Sequence, residues 1–489
     1  MTAHRERRIG VIGGGPSGAI CARRLAERGL DVTLFEPRTH FEKPCGGGMS
    51  ARGFERFPFL ETARLPVRRV GRCLVIAPSG READIRLQDP LFVFSRADLH
   101  TLLLENAIEA GARLVRRRVV ALTRGSAARG RGTMAGAGFQ LDTVVDGRRE
   151  AHGLFDYLVA ADGASGPTRR WLTGRIDRRS LTQGIGYYVP DLVEEWITLK
   201  FFAGLRGYLW IFPRIDHSSA GICGPLGPPG VAPLQRRMDD FLTLRYGQQA
   251  IERSQRYAAL IPGALGEAGA EDLTGPGWAL TGDGCRAVDP ITSEGIYYAM
   301  LSGELLADLI AEGRAGQFTH LWSRRVADEF DRAARMAPTF FDRRFIEMLV
   351  LLCGRSRAIG DTLSDLMAGR QGYRGLKRRL LRAAPVVGWQ LLRPLRKSSG
   401  PRNEPEIRNG IRSAPDNGKA TAARDTRSID RLKDGSARGD RSPPDRGSED
   451  KRKVHEEKDD PGRQAEAADA GQACRRSERP SESWHPPGT

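Results

Sequence analysis

The N-terminal part of the chain alternates short apolar runs with segments of helical spacing. Residues 9–12 are apolar and lead through a glycine-rich turn into a helix-like segment that ends near residue 28. Residues 31–35 form a second apolar run, and residues 96–110 show helical spacing before a strand-like segment at 113–122. Strands and helices in alternation are typical of a parallel sheet covered by helices. The pattern predicts an α/β lobe of the Rossmann type.

Other segments follow a period of two, with apolar residues alternating with polar ones between Gly- and Pro-rich turns. This period is typical of strands that bury one face. We therefore predict an antiparallel β-sheet inserted into the α/β lobe. The segments concerned are residues 72–76, 184–189, 196–202, 208–212 and 220–223.

These patterns predict four regions along the chain. The Rossmann-like lobe comprises residues 1–70, 95–175 and 275–330, and the inserted sheet comprises residues 71–94 and 176–274. Residues 331–395 form a C-terminal helical segment rich in basic residues. We expect the tail, residues 396–489, to be disordered, because it mixes both charges with Pro, Gly and Ser and has few large apolar residues.

The net charge of +17 becomes informative when it is located along the chain. The tail is nearly balanced, with 21 Lys/Arg and 18 Asp/Glu, whereas residues 335–395 hold 12 basic and 4 acidic residues. Apolar clusters near Phe340, Leu349 and Leu380 lie among these arginines. Two interpretations stay open: a basic amphipathic surface that lies on a membrane, or ordinary helix packing beneath a solvated basic face.

Targeting and cysteine patterns indicate a cytoplasmic protein. The basic N-terminus lacks the apolar region of a signal peptide, and no run approaches the roughly 18 apolar residues that span a bilayer. The seven cysteines are scattered without a CxxC pair, so the sequence indicates neither a disulfide framework nor a metal site.

The glycine-rich turn carries a dinucleotide-binding fingerprint. Gly13 permits the tight turn, Gly15 lets the backbone approach a pyrophosphate, and Gly18 lets the helix pack on the strand. Glu36 ends the second strand, where it can accept hydrogen bonds from a ribose. Because strand, glycine spacing, helix and terminal acid occur in order, we predict a site for an adenine dinucleotide.

A distant segment indicates that this dinucleotide is FAD. Residues 278–283 read as a strand that ends in Gly-Asp, and Asp283 can bond the ribityl hydroxyls that NAD lacks. A helix is predicted to open near Gly295 and Ile296, with its N–H groups directed at the pyrimidine side of the flavin. The two segments together predict a site for one extended cofactor.

Four further motifs resemble those of the geranylgeranyl reductase family, which is related to p-hydroxybenzoate hydroxylase. The resemblance covers residues 9 to about 300. Its most specific parts are a Pro-Cys-Gly-Gly loop and a Tyr-x-Trp-x-Phe-Pro signature. The matching residues are Cys45, Gly46 and Gly47 in the loop, Arg96 in Ser-Arg-Ala-Asp, Asp162 in Ala-Asp-Gly, and Tyr208, Trp210 and Phe212 in the signature.

The resemblance implies an FAD-dependent enzyme that reduces carbon–carbon double bonds of an isoprenoid chain. It implies that Cys45, Gly46, Gly47, Arg96 and Asp162 contact FAD. No second glycine fingerprint is present, so we expect NAD(P)H or a reduced electron carrier to act transiently as donor. The alternatives are an aromatic hydroxylase on the same scaffold and a non-catalytic flavin-binding protein. We expect an apolar small-molecule substrate and no nucleic acid; the sequence leaves the oligomeric state open.

Several residues keep two interpretations. Cys45 can donate a proton to the substrate or can simply be a small packed residue. Asp162 can contact the cofactor, cap the following helix, or do both. The face shared by the three aromatic residues of the signature can line a substrate tunnel or belong to the sheet core. Ser293 stands where the family usually has glycine, which bears on the local backbone conformation.

Overall fold

The computed structural model describes residues 7–125, 138–145, 147–174, 181–227, 230–262 and 272–392, with the backbone alone from 383 onwards. The predicted disordered tail, residues 396–489, lies outside the described residues. The strands are β1 (Arg8–Ile12), β2 (Asp31–Phe35), β3 (Gly48–Ser50), β4 (Val67–Ile76), β5 (Glu82–Phe94), β6 (Arg113–Val115), β7 (Val119–Arg124), β8 (Phe139–Val145), β9 (Arg148–Phe155), β10 (Tyr157–Ala160), β11 (Leu181–Pro190), β12 (Ile197–Phe201), β13 (Tyr208–Pro213), β14 (His217–Pro225), β15 (Gln255–Pro262), β16 (Thr274–Gly275) and β17 (Trp278–Leu280).

Helices connect these strands and form the C-terminal part of the described chain. A 3₁₀ turn covers Gly282–Cys285, a second covers Ala315–Gln317, and a π-helical turn covers Ser323–Ala327. The α-helices are α1 (Pro16–Glu27), α2 (Ala51–Arg56), α3 (Phe59–Thr62), α4 (Arg96–Glu109), α5 (Pro167–Thr173), α6 (Ala232–Tyr246), α7 (Gln248–Glu252), α8 (Ile296–Ala311), α9 (Phe318–Trp322), α10 (Asp328–Phe340), α11 (Arg343–Cys353), α12 (Arg357–Met367) and α13 (Tyr373–Leu392).

The N-terminal pattern forms a six-stranded sheet in the order β16-β17-β10-β1-β2-β6. β1 pairs in parallel with β2 and β10, and only the short β16–β17 pair is antiparallel. Strands with helices over them are apolar along their length, as β1 and β2 are. Helix α1 packs against α8 so closely that a Cβ on Gly303 would lie 2.1 Å from the carbonyl oxygen of Ser17. The predicted Rossmann-type lobe is confirmed.

The period-two segments form an eight-stranded sheet in the order β15-β11-β14-β13-β12-β4-β5-β3. The pairing is antiparallel except between β12 and β4, which run in parallel. β4 starts at Val67 and β3 covers Gly48–Ser50, so this sheet includes strands on both sides of the predicted boundary at residue 70. The predicted antiparallel sheet is confirmed in kind, while the domain boundaries stay a prediction.

The segment at 113–122 was predicted as one strand, and this prediction was wrong. It forms β6 in the six-stranded sheet and β7 in a separate three-stranded sheet with β8 and β9. Between them lie Arg116, Arg117 and Arg118, and the Arg117 amide turns back to the Val115 carbonyl oxygen at 2.8 Å. Three consecutive arginines are costly to bury in a strand, so the chain leaves one sheet and enters the next.

Helices α10 to α13 pack on the eight-stranded sheet. Ala337 of α10 and Ile346 and Val350 of α11 are buried in the same apolar cluster as Val75 of β4. The arginines at the start of α11 and on the outer side of α13 are exposed. The helical prediction for the C-terminal segment is confirmed as far as residue 392. Much of its apolar surface packs on the sheet, while Met348 and Leu381 are exposed, so neither interpretation of the segment is excluded.

Candidate active site

The glycine-rich turn between β1 and α1 has a backbone that requires glycine. Gly13 has a φ of +101°, and a Cβ there would lie 2.5 Å from the Ala161 carbonyl oxygen. A Cβ on Gly18 would lie 1.9 Å from the Gly13 carbonyl oxygen. A Cβ on Gly15 would instead meet no protein atom within 4 Å. The turn thus forms a cradle at the start of α1, where helix N–H groups can bind phosphate.

Glu36 lies directly after β2, beside this turn. Its carboxylate accepts hydrogen bonds from the amides of Gly14 at 2.9 Å and Arg38 at 3.1 Å, and the residue is only 8% exposed. An ionised carboxylate has about four acceptor positions, so these two bonds leave capacity for hydroxyl donors. The position fits a ribose diol.

Arg96 is the first residue of α4 and is 6% exposed. Within the described part of the chain its Nε has no hydrogen-bond partner. The start of this helix is held by Ser95, whose hydroxyl caps it, and by Glu42, which accepts from the amides of Arg96 and Ala97. A buried guanidinium with an unmade bond is costly, and an anionic ligand group would satisfy it.

β17 leads into the 3₁₀ turn that contains Asp283. Its Oδ2 accepts a hydrogen bond from the Lys43 Nζ at 2.8 Å, and its side chain is 15% exposed. After the 3₁₀ turn the chain forms the loop 289–295, and α8 begins at Ile296. Ser293 in this loop has a φ of +58°, so serine occupies the left-handed conformation that favours glycine.

Asp162 acts as a helix cap. Its Oδ2 accepts a hydrogen bond from the amide of Thr168 at 2.9 Å, in the first turn of α5. Burial raises the pKa of Asp162, although the bonds from Thr168 oppose the shift. Ala161 and Gly163 line the cavity, whereas Asp162 is directed to the helix. Capping is thus the observed role, and a contact with the cofactor stays a prediction.

One continuous cavity of about 240 Å³ adjoins the glycine cradle and extends between the eight-stranded sheet and the C-terminal helices. Most of the predicted site residues meet at this cavity, while Gly13, Gly18, Glu36 and Asp162 do not line it. The predicted residues that line it are Gly15, Cys45, Gly46, Gly47, Arg96, Tyr208, Trp210, Phe212, Asp283, Gly295 and Ile296.

The aromatic residues on the cavity wall rest on glycines. A Cβ on Gly221 would lie 2.3 Å from the Trp210 ring, and one on Gly46 would lie 2.1 Å from the Phe212 ring. The Pro-Cys-Gly-Gly loop and the Trp-x-Phe-Pro signature are therefore in direct contact. Of the two interpretations of this face, cavity lining is observed, although Tyr208 and Trp210 also belong to the sheet core.

The far wall of the cavity was missed by sequence reasoning. It is made by aliphatic and aromatic side chains of α10, α11 and α12, which look like ordinary helix core in the sequence. The residues are Phe340, Leu349, Leu363, Leu366 and Met367.

Cys45 is partly exposed to the cavity and is held in place through its carbonyl group. The Cys45 oxygen accepts hydrogen bonds from Arg214 Nη2 at 3.0 Å and from Ser219 Oγ at 2.9 Å. Arg214 is 2% exposed and also donates to Glu42 Oε1 at 2.8 Å. Burial acts to raise the pKa of Glu42, but the Arg214 charge and the donors at the start of α4 outweigh it and lower that pKa.

Arg214 and Glu42 were also missed. The available signal was their position, since Arg214 directly follows the Phe-Pro signature and Glu42 directly precedes Lys-Pro-Cys. Opposite charges next to two motifs that must meet would have suggested an ion pair.

Comparison with known proteins identifies the kind of enzyme. A family model described as an NAD(P)-binding Rossmann-like domain matches residues 11–52. Menaquinone reductase of Mycolicibacterium smegmatis is 28% identical over 393 residues, which cover 73% of this chain and 91% of that protein. Digeranylgeranylglycerophospholipid reductase of Methanosphaerula palustris is 26% identical over 63% of this chain and 77% of its own length. The chain is an FAD-dependent oxidoreductase that is similar to these reductases.

A solved structure shows that the fold of this oxidoreductase is also shared. The geranylgeranyl bacteriochlorophyll reductase-like protein of Thermoplasma acidophilum superposes with a TM-score of 0.60 and 20% identity, covering 77% of this chain and 99% of that one. FAD is the cofactor. The open cradle at Gly15, the acceptor Glu36 and the unsatisfied Arg96 fit such a dinucleotide.

Disulfides, metal sites and membrane-spanning helices were looked for in the part of this oxidoreductase that the structure describes. Among the six cysteines that the structure describes, none is paired in a disulfide. Within the described ranges, no three His, Cys, Asp or Glu side chains are arranged to hold a metal ion. No helix in the described ranges combines the length and apolar character needed to cross a bilayer.

Proposed function

We propose that this oxidoreductase reduces carbon–carbon double bonds in an isoprenoid chain. The observation that carries the proposal is the continuity of the cavity, which is bounded by the glycine cradle and the 289–295 loop at one end and by apolar helices at the other. Such a cavity removes an uncharged chain from water and brings one of its double bonds to the cofactor.

The relatives support the same substrate class. One is named for menaquinone and another for a digeranylgeranyl glycerophospholipid, both of which carry polyprenyl chains joined to a more polar group. The apolar wall of this cavity matches the part that these compounds have in common. We infer a polyprenyl lipid as substrate, with the head group directed away from α12.

The position of each residue in the site suggests which part of FAD it would hold. The turn containing Gly13, Gly15 and Gly18 would hold the pyrophosphate, Glu36 the ribose, and Arg96 a phosphate or other anionic part. Asp283 would bond the ribityl chain, with Lys43 moving to share it. Residues next to the ring would be Cys45, Gly46, Gly47, Gly295 and Ile296, with Asp162 acting behind them as the cap of α5.

When bound, reduced FAD supplies a hydride equivalent to one carbon of the double bond. The second carbon needs a proton, and the Cys45 thiol is the candidate group in the cavity wall. Trp210 and Phe212 would hold the isoprenoid chain of the substrate against the sheet. The hydrogen bonds from Arg214 and Ser219 to the Cys45 carbonyl group keep the thiol in place. The protein contributes orientation and exclusion of water.

Replacement of the thiol tests the role of Cys45. If it donates the proton, Cys45→Ala lowers turnover by about a hundredfold or more while FAD content is retained, because general-acid catalysis contributes that much. Cys45→Ser is the matched control for size and polarity. Full turnover in Cys45→Ala, measured with saturating substrate, would show that Cys45 only fills the loop.

The overall function is tested by anaerobic turnover. Purified enzyme reduced with NAD(P)H, dithionite or a reduced ferredoxin is mixed with menaquinone or with a geranylgeranyl lipid, and the lipid is analysed by mass spectrometry. The expected product has gained two hydrogen atoms for each reduced bond. Oxygen-dependent NAD(P)H oxidation with a phenolic product, and no anaerobic turnover, would instead identify an aromatic hydroxylase. A bound flavin that none of these donors reduces would indicate a non-catalytic protein.

We also propose that the enzyme lies on a membrane surface through α11 and α13. Arg343, Arg344 and Arg378 are exposed there, and Met348 and Leu381 are 49% and 63% exposed. Basic residues next to apolar ones favour the surface of an anionic bilayer. We expect the enzyme to sediment with vesicles that contain anionic lipid; sedimentation that does not depend on anionic lipid would contradict this.

A further inference from the structure

A buried tyrosine of the C-terminal helices is bonded to the 289–295 loop. Tyr373, the first residue of α13, donates its hydroxyl hydrogen bond to the Asp289 carboxyl group, with distances of 2.8 Å to Oδ1 and 2.9 Å to Oδ2. Asp289 is 6% exposed and Tyr373 is 7% exposed. The pair therefore joins two segments 84 residues apart beneath the cavity wall.

Asp289 organises the loop that begins with it. Its Oδ1 accepts hydrogen bonds from the amides of Ile291 at 2.8 Å and Thr292 at 2.9 Å. Its carbonyl oxygen accepts from the Ser293 amide at 2.9 Å, and its own amide donates to the Glu294 carbonyl oxygen at 3.0 Å. The Asp289 carboxyl group thus holds the first half of the loop, up to the left-handed turn at Ser293. The Tyr208 hydroxyl holds the same half from the sheet, by donating to the Thr292 carbonyl oxygen at 2.6 Å.

Tyr373 is itself held in place by helix α10. Glu329 of α10 accepts hydrogen bonds from the amides of Tyr373 at 2.8 Å and Arg374 at 3.2 Å, so it caps the start of α13. Helix α10 also supplies Phe340 to the far wall of the cavity. The hydroxyl that reaches Asp289 is therefore placed by the same helices that bound the apolar end of the site.

We propose that Tyr373 is a positioning residue that, through Asp289, holds the 289–295 loop in the conformation that receives the flavin. The inference rests on the placement of the flavin edge at this loop in the proposed function. It makes the C-terminal helices part of the cofactor site, in addition to their role as a cavity wall.

A second tyrosine–carboxylate pair provides a matched control. Tyr246 of α6 donates its hydroxyl hydrogen bond to Glu194 Oε1 at 2.8 Å, and neither residue lines the cavity. Replacing either tyrosine by phenylalanine removes one hydroxyl group, so the carboxyl group that it bonds loses one hydrogen-bond donor. The two variants differ in whether that carboxyl group shapes the 289–295 loop.

The experiment compares FAD binding to the apo forms of the wild type, Tyr373→Phe and Tyr246→Phe by flavin fluorescence, together with the reduction potential of the bound flavin. We expect Tyr373→Phe to raise the dissociation constant of FAD about fivefold to tenfold and to shift the potential, because the loss of one intramolecular hydrogen bond is of this size. We expect Tyr246→Phe to change neither. Wild-type affinity and potential in Tyr373→Phe would overturn the proposal.

Hydrogen exchange of the wild type supplies a second measurement in case Tyr373→Phe does not fold. Adding FAD to the apo protein should slow amide exchange both in residues 289–295 and in the first turn of α13, and should leave α6 unchanged. Protection of the loop without protection of α13 would overturn the proposal. Both measurements use FAD alone, so a failure to reduce isoprenoids would contradict the proposed function without affecting this test.

Discussion

The glycine turn and the apolar cavity lie side by side but are built in opposite ways. The turn is formed within a few residues of the chain, and its geometry is dictated by backbone contacts such as that between Gly18 and Gly13. The cavity wall is assembled from strands and helices between residues 43 and 367, and most of its members carry apolar side chains. We therefore expect the glycine turn to tolerate little change in shape, and the far apolar wall to accept changes of single side chains.

The strongest test of the rigid end is Gly18→Ala. A Cβ there would meet the Gly13 carbonyl oxygen at 1.9 Å, so we expect the free energy of unfolding of the apo protein to fall by about 3 kcal/mol or more. Gly15→Ala is the informative partner, since its Cβ meets no protein atom. That variant should unfold like the wild type in urea but bind FAD more weakly. Equal destabilisation by both would break the distinction between packing and cradle.

Arg96→Met separates cofactor binding from stability at the same end. The guanidinium is buried with an unsatisfied Nε, so its removal should leave the stability of the apo protein unchanged or higher. The affinity for FAD should fall about tenfold to a hundredfold, as expected for lost bonds to an anionic group. Arg68→Met, at a partly buried arginine outside the cavity, is the control for calorimetric titration. Unchanged FAD affinity would remove Arg96 from the site.

The adaptable end is tested by Met367→Trp. The larger tryptophan side chain at the far wall should shorten the longest polyprenyl chain that the cavity accepts. We expect kcat/KM to fall about tenfold for long polyprenyl chains and to stay unchanged for short ones. Leu244→Trp, at a position that is 89% exposed on α6, should change neither. A uniform loss for all chain lengths would show that the wall is as rigid as the glycine turn.

The smallest expected effect concerns the ion pair between Arg214 and Glu42, which lies beside the Cys45 loop at the cavity. The pKa of Glu42 is lowered in the folded protein, so its contribution to stability is present above its ordinary value of 4.5 and is lost as the pH falls through the lower folded value. Glu42→Gln should remove about 1 kcal/mol at neutral pH and flatten the loss of stability on the acid side. Thermal unfolding between neutral and acid pH measures this. A parallel pH profile in wild type and variant would contradict it.

The same contrast explains what the sequence could predict. β1, α1 and β2 were predicted to within a few residues, because glycine spacing and apolar runs are local signals of the turn and its strands. The lining by Leu363 and Leu366 could not be predicted, since an apolar residue on a helix looks the same whether a side chain or a cavity faces it. The bond between Tyr373 and Asp289 was equally invisible, because neither residue carries a local pattern that names its partner.

The strand order has a consequence for how the cofactor site is made. Within the described residues β1 lies N-terminal to its neighbours, yet β10 beside it pairs with β17, which ends at residue 280, and α8, which packs on α1, follows later still in the sequence. Contacts of such sequence separation form late in folding. A nascent chain that stops before β17 would expose an unpaired edge at Ala160 and would lack the helix beside α1. The complete FAD site therefore needs segments from both ends of the described chain, so we expect it to form only once β17 and α8 have joined β10 and α1.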